Sequence, residues 1–144
     1  MTILVGVDES TYSKAVVEFV TKHSWPKETR FIVVSASPPV FMGPGEATAP
    51  TAIAQVIQAQ ESFHKDLADR AAEALRKAGL QAEARMVPAD PRTALVEGAR
   101  KEGAALIIVG SHGRSGLSKL FLGSVASHVV AHAHCNVLVV KQPS

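Results

Sequence analysis

The residues whose spacing most clearly suggests chemistry are Gly110, Gly113 and the pair Gly123-Ser124. Two residues separate the first two glycines and nine separate Gly113 from Gly123. They follow an apolar run from Ala104 to Val109 that has the composition of a buried parallel strand. They end where a helical pattern begins at Ser124-Val125-Ala126. Glycines let a backbone turn tightly and approach a ligand closely. Successive N–H groups in such a turn can converge on an anion. A hydroxyl at a helix N-terminus adds to the free N–H groups and the favourable dipole there. A strand, a glycine loop and a helix start, in that order, suggest a phosphate cradle. It is not a P-loop, because no Gly-Lys-Ser/Thr closes it, and it is not the Gly-x-Gly-x-x-Gly dinucleotide turn.

Asp8 is the second anchor. It follows the apolar run Ile3-Leu-Val-Gly-Val7. A carboxylate at the carboxyl end of a strand can accept bonds from ribose hydroxyls or hold a phosphate-bound metal through water. It can also cap the helix that follows. His112 sits inside the glycine loop, where a backbone hydrogen bond from its ring would hold the loop's shape; a general-base role is the other reading. His128 and His132 lie four apart, with His134-Cys135 next. Two histidines at that spacing can share a zinc, but no Glu-x-x-His frame accompanies this pair and there is no second cysteine. A metal site is therefore left unassigned. No nucleophile, base and orienter stand together, so any hydrolysis is expected to be slow.

The elements that must position these residues alternate. Residues 3–7, 31–34, 81–87, 104–109 and 137–140 read as strands. Between them, helical spacing follows Ser10, a plausible N-cap, and continues over 51–77, 91–101 and 124–132. Ala15, Val16, Phe19 and Val20 mark the buried face of the first helix, which is expected to end at Trp25-Pro26. Ile53, Val56, Ile57, Gln60, Phe63, Leu67, Ala71, Ala74 and Leu75 mark that of the second. Asp90-Pro91 starts the third. Strict alternation of strand and helix predicts an α/β fold: a parallel sheet with helices on both faces and right-handed crossovers. The segment 38–50 holds two Gly and four Pro, which excludes regular structure. It leaves the second strand where ligands sit in such sheets, and reads either as a lid or as a surface loop without a role.

Composition narrows the class. The 144 residues fit one domain, 1–144, with its own core. A formal net charge of +2, with 19% charged residues scattered along the chain, argues against nucleic acid as a partner. One cysteine, Cys135, excludes an internal disulfide and suits a reducing compartment. It precedes a strand and is expected to be buried. Met1-Thr-Ile-Leu-Val lacks the basic start of a secretory leader, and no apolar run reaches the roughly 20 residues of a membrane span. These features predict a cytoplasmic protein with no membrane partner.

The motif Gly110-x-x-Gly113, nine residues, Gly123-Ser124, with Ile-Ile-Val before it and Ser111-His112 inside it, resembles the ATP-binding motif of the universal stress protein family. The resemblance runs from Ile3 to Lys141. It implies an open five-stranded parallel sheet in the order 3-2-1-4-5, Rossmann-like and adenine nucleotide alpha hydrolase-like. That order brings Asp8 and Gly110 together at the topological switch point. It also implies ATP as ligand, with Mg²⁺, and adenine near the backbone of Ala36, where the family often has a larger aliphatic residue. Gly6, Val7 and Val109 would line the same pocket, and Asp8 would meet the ribose. Gly110, Ser111, Gly113, Arg114, Gly123, Ser124 and Val125 would surround the phosphates, with Gly113 and Gly123 offering N–H groups. Ser115 is a weaker member of that set, and Lys119 is expected to face solvent.

The function implied is a nucleotide-binding sensor or regulator in a stress response. A slow ATPase or autophosphorylating enzyme, and a structural dimer that binds no nucleotide, both stay open. The last strand is apolar on both faces and falls at a sheet edge, a position that usually has a partner. The family pairs this strand across a two-fold axis, which implies a symmetric homodimer through Val137 to Lys141.

Overall fold

The structure, a computed structural model, describes residues 1–41, 50–113 and 121–142. In chain order the elements are β1 (Thr2–Gly6), α1 (Thr11–Lys22), β2 (Arg30–Ala36), α2 (Pro50–Lys77), β3 (Gln81–Val87), α3 (Pro91–Glu102), β4 (Leu106–Gly110), α4 (Ser124–His132) and β5 (Asn136–Val140). The five strands form one sheet in the order β3-β2-β1-β4-β5, and each pair is parallel.

Side chains of a strand alternate between the two faces of its sheet, and each face here carries its own core. Ile3, Val5, Phe31, Val33 and Ile108 meet Val16 and Val20 of α1 and Ala68, Ala72 and Leu75 of α2. Leu4, Ile32, Val34, Ile107 and Val109 meet Leu95, Val96 and Ala99 of α3 and Ala126 and Val129 of α4. Phe31 is fully buried, and burying a side chain of that kind is worth about 1.5–3 kcal/mol.

The long helix keeps Ala71 and Leu75 of its expected face on the core and departs from that face nearer its start. Its buried residues are His64, Ala68, Ala72 and Leu75, while Val56, Ile57 and Phe63 are exposed. A helix of 28 residues is about 42 Å long at 1.5 Å per residue. The seven residues of β2 extend only about 23 Å. The amino-terminal part of α2 therefore outruns the sheet. The small residues Ala68 and Ala72 let the remainder approach it closely.

Helix ends match local chemistry. Asp90 caps α3 by accepting the Arg92 N–H at 2.9 Å, with Pro91 in the first turn, and Gly103 ends it in the left-handed region at φ 61°. The first helix ends at Lys22, before Trp25-Pro26. Among the described residues, no helix is long and apolar enough to cross a membrane.

Candidate functional site

Strands β1 and β4 are neighbours, with Val5 opposite Ile108. Beyond their ends the chain departs in different directions. Val7 continues toward β2 by donating to the Val34 carbonyl at 2.9 Å, and Ser111 continues toward β5 by donating to the Val140 carbonyl at 2.9 Å. The two loops split around a cavity of about 290 Å³. This is the crevice at which open α/β sheets take ligands.

Nine of the residues singled out from sequence line this cavity: Gly6, Val7, Asp8, Ala36, Val109, Gly110, Gly113, Ser124 and Val125. Ser111 and Gly123 are not in its wall. Arg114, Ser115 and Lys119 lie outside the described residues, as does most of the segment 38–50, read as a lid or as a surface loop. The wall also holds Ser13, Val34, Pro38, Pro91, Leu95, His112 and Ala126. Of these, Ser13 was legible in principle: a hydroxyl five residues after Asp8, in the first turn of the next helix, is within reach of its carboxylate.

Asp8 is held by its own loop and by the first turn of α1. Its Oδ1 accepts the Ser10 N–H at 2.8 Å, the Ser10 hydroxyl, and the Ser13 hydroxyl at 2.9 Å. Ser10 occupies the N-cap position of α1 but makes no side-chain cap bond. Its hydroxyl goes to Asp8, which corrects the capping role expected for it. The other carboxylate oxygen, Oδ2, sits against Gly113, where an added Cβ would lie 2.9 Å away.

The loop glycines act through contact distance. The described glycines at positive φ are Gly79 and Gly103, and none of Gly110, Gly113 and Gly123 is among them. A Cβ at Gly110 would lie 2.8 Å from Tyr12 Cβ, and one at Gly123 would lie 3.0 Å from His112 Cα. Gly6 lies under Leu95, whose methyl carbons would be 3.0 and 3.1 Å from its Cβ.

Gly123 differs from expectation in a second way. Its N–H donates to the Ser111 carbonyl at 2.7 Å and so is not directed at the cavity. The donors at this wall come one step later. The first bond of α4 runs from Ser127 N–H to the Gly123 carbonyl at 2.9 Å. Among the described residues, that leaves the N–H groups of Ser124, Val125 and Ala126 as the unpaired first turn of the helix, at its positive end.

His112 also departs from expectation. Its Nδ1 faces the Ser111 hydroxyl at 3.2 Å, not a backbone group, and its ring lies 5.1 Å from that of Tyr12. Its Nε2 is buried without a hydrogen-bond partner among the described residues. On α4, the His128 and His132 rings stack at 4.1 Å, and the His132 Nδ1 bonds the His128 carbonyl at 2.9 Å. The described residues contain no group of three or more side chains placed to hold a metal. Cys135 is half-buried rather than fully buried, and burial raises its thiol pKa. The Arg92 guanidinium lowers the pKa of Asp90, which neighbours the cavity residue Pro91.

Sheet order, crevice and helix start together define a doubly wound α/β protein with a polar-rimmed cavity at its switch point. The chain belongs to the universal stress protein family, whose sequence profile matches residues 1–141. A universal stress protein of Thermus aquaticus is 31% identical over 141 residues, which is 97% of this chain and 98% of the relative. Universal stress protein MJ0531 of Methanocaldococcus jannaschii is 45% identical over 65 residues. That match covers 45% of this chain and 38% of the relative's length. Among solved structures, MJ0577 of the same organism superposes with a TM-score of 0.84 at 24% identity, covering 99% of this chain and 96% of that one. A universal stress protein crystallised in complex with cAMP gives a TM-score of 0.68 at 26% identity, covering 97% and 96%.

Proposed function

We propose that the protein binds an adenine nucleotide, ATP together with Mg²⁺, in the cavity between β1, β4 and α4. The observation that carries this reading is the convergence of two unlike groups on one cavity. The free oxygen of Asp8 and the unpaired first turn of α4 both border it. An adenine nucleotide needs an apolar slot for its base, an acceptor for its ribose hydroxyls and donors for its phosphates. Ala36, Pro38, Leu95 and Val109 supply the slot. Asp8 Oδ2 is the acceptor, and the N–H groups of Ser124, Val125 and Ala126, with the Ser124 hydroxyl, are the donors. The cavity is at the lower end of small-molecule pockets, which begin at about 300 Å³. It suits the nucleoside, with the phosphates reaching toward the helix. Mg²⁺ keeps several waters and commonly binds through one or two carboxylates plus substrate phosphates. The cAMP complex of a relative supports the choice of an adenine ligand.

In this reading the chain is a single-domain cytoplasmic regulator of a stress response. It assembles as a symmetric dimer through Val137 to Lys141, and bound nucleotide alters the surface that another protein reads. Calorimetric titration of nucleotide-stripped protein with ATP, AMP and cAMP, with and without Mg²⁺, tests it. Saturable binding near one ATP per chain is the expected result. Absence of binding by all three would end the reading.

A further inference from the structure

Asp8 is gripped through one oxygen, and the grip comes from two places of different rigidity. Ser10 lies in the same loop as Asp8, so its two bonds to Oδ1 move with that loop. Ser13 lies in the first turn of α1, a helix fixed to the sheet by the fully buried Val16 and Val20. Its hydroxyl donates to Asp8 Oδ1 at 2.9 Å and accepts the Asp8 N–H at 2.7 Å. One hydroxyl therefore holds both the backbone and the side chain of Asp8 and links them to a packed element. Among the described residues, no hydrogen bond engages Oδ2.

We propose that Ser13 is the positioning residue of the ligand site: it fixes the carboxylate plane so that Oδ2 alone faces the ligand, as a one-oxygen acceptor for the ribose hydroxyls of an adenine nucleotide. This rests on the reading of the cavity given above. A hydroxyl with this double engagement leaves Asp8 little freedom to rotate. Removing it frees the carboxylate to turn away from the ligand and leaves the half-buried Asp8 N–H without its acceptor. Losing one ordered bond to a charged group lowers affinity by about tenfold.

The test is a double-mutant cycle on the full chain, read by calorimetric titration with ATP and Mg²⁺. Ser13→Ala is expected to weaken ATP binding by about tenfold, and Ser13→Thr, which keeps the hydroxyl, to restore it. In an Asp8→Asn background, where base and phosphate contacts remain, Ser13→Ala is expected to add no further loss. A purely structural role for Ser13 would give the same loss in both backgrounds, and that result overturns the proposal. So does wild-type affinity in Ser13→Ala. A wild-type protein that binds no adenine nucleotide fails earlier and differently: it overturns the reading of the cavity itself.

Discussion

Gly113 leaves open the space into which Asp8 points its carboxylate: a Cβ at Gly113 would lie 2.9 Å from Asp8 Oδ2. The two residues come from loops that leave neighbouring strands, and the site exists because those loops meet. The carboxylate cannot simply swing aside, since its Oδ1 is held by Ser10 and Ser13.

Gly113→Ala therefore displaces the acceptor oxygen while leaving the cores of both sheet faces untouched. The expected outcome is about tenfold weaker ATP binding, with a urea midpoint close to that of wild type. A lowered midpoint with unchanged affinity would assign Gly113 to stability instead.

Two other glycines separate packing from backbone entropy. Gly110→Ala forces a Cβ to 2.8 Å from Tyr12 Cβ, and overpacking of that kind destabilises by about 1–3 kcal/mol. Gly98, inside α3, has room: its Cβ would rest 3.5 Å from Leu4 Cδ2. Gly98→Ala is expected to stabilise by about 0.5–1 kcal/mol. Urea unfolding of the two variants checks both signs.

Asp90 gives the chain a defined acid sensitivity. The Arg92 side chain, and then its backbone N–H, hold the Asp90 carboxyl below the usual range. A carboxyl with a lowered folded pKa stabilises fully above its unfolded value, about 3.9. That contribution is lost as pH falls through the folded value. Asp90→Asn keeps the capping oxygen and removes the titration. The stability difference between wild type and Asp90→Asn should be largest near neutral pH and shrink below about pH 4. Urea unfolding across that range measures it.

The β5 edge tests assembly. Val137, Leu138 and Val139 are half-buried in the single chain, and charges on an edge strand discourage pairing. Val139→Lys is expected to convert a dimer to a monomer in sedimentation equilibrium. A wild-type monomer would remove the assembly proposal.

Much of the fold was legible because four strands carry continuous apolar runs, residues 81–87 alternate, and the helices carry their own punctuation. Residues 81–87 and 124–132 coincide with β3 and α4. The face of α2 was legible only toward its carboxyl end, where Leu75 is buried and Ala71 packs on the core. Val56, Ile57 and Phe63 are exposed, and the helix packs by Leu75, by alanines and by His64, whose Nδ1 meets the buried Ser35 hydroxyl at 2.9 Å. Periodicity marks a hydrophobic stripe but does not say where the partner surface ends.

For the site, spacing located Asp8 and the glycines but did not say what each glycine accommodates. Gly110 admits Tyr12, Gly113 admits Asp8, and Gly123 admits the His112 backbone. Nor did spacing show that Ser111 takes up the Gly123 N–H. Contacts between loops distant in sequence decide these roles.

The most direct test of the account is amide chemical-shift mapping of ¹⁵N-labelled protein on addition of ATP and Mg²⁺. The account predicts that the largest changes fall on Asp8, Ser13, Gly113, Ser124, Val125 and Ala126. Saturating shifts confined to other surfaces, with these six amides unmoved, would contradict it.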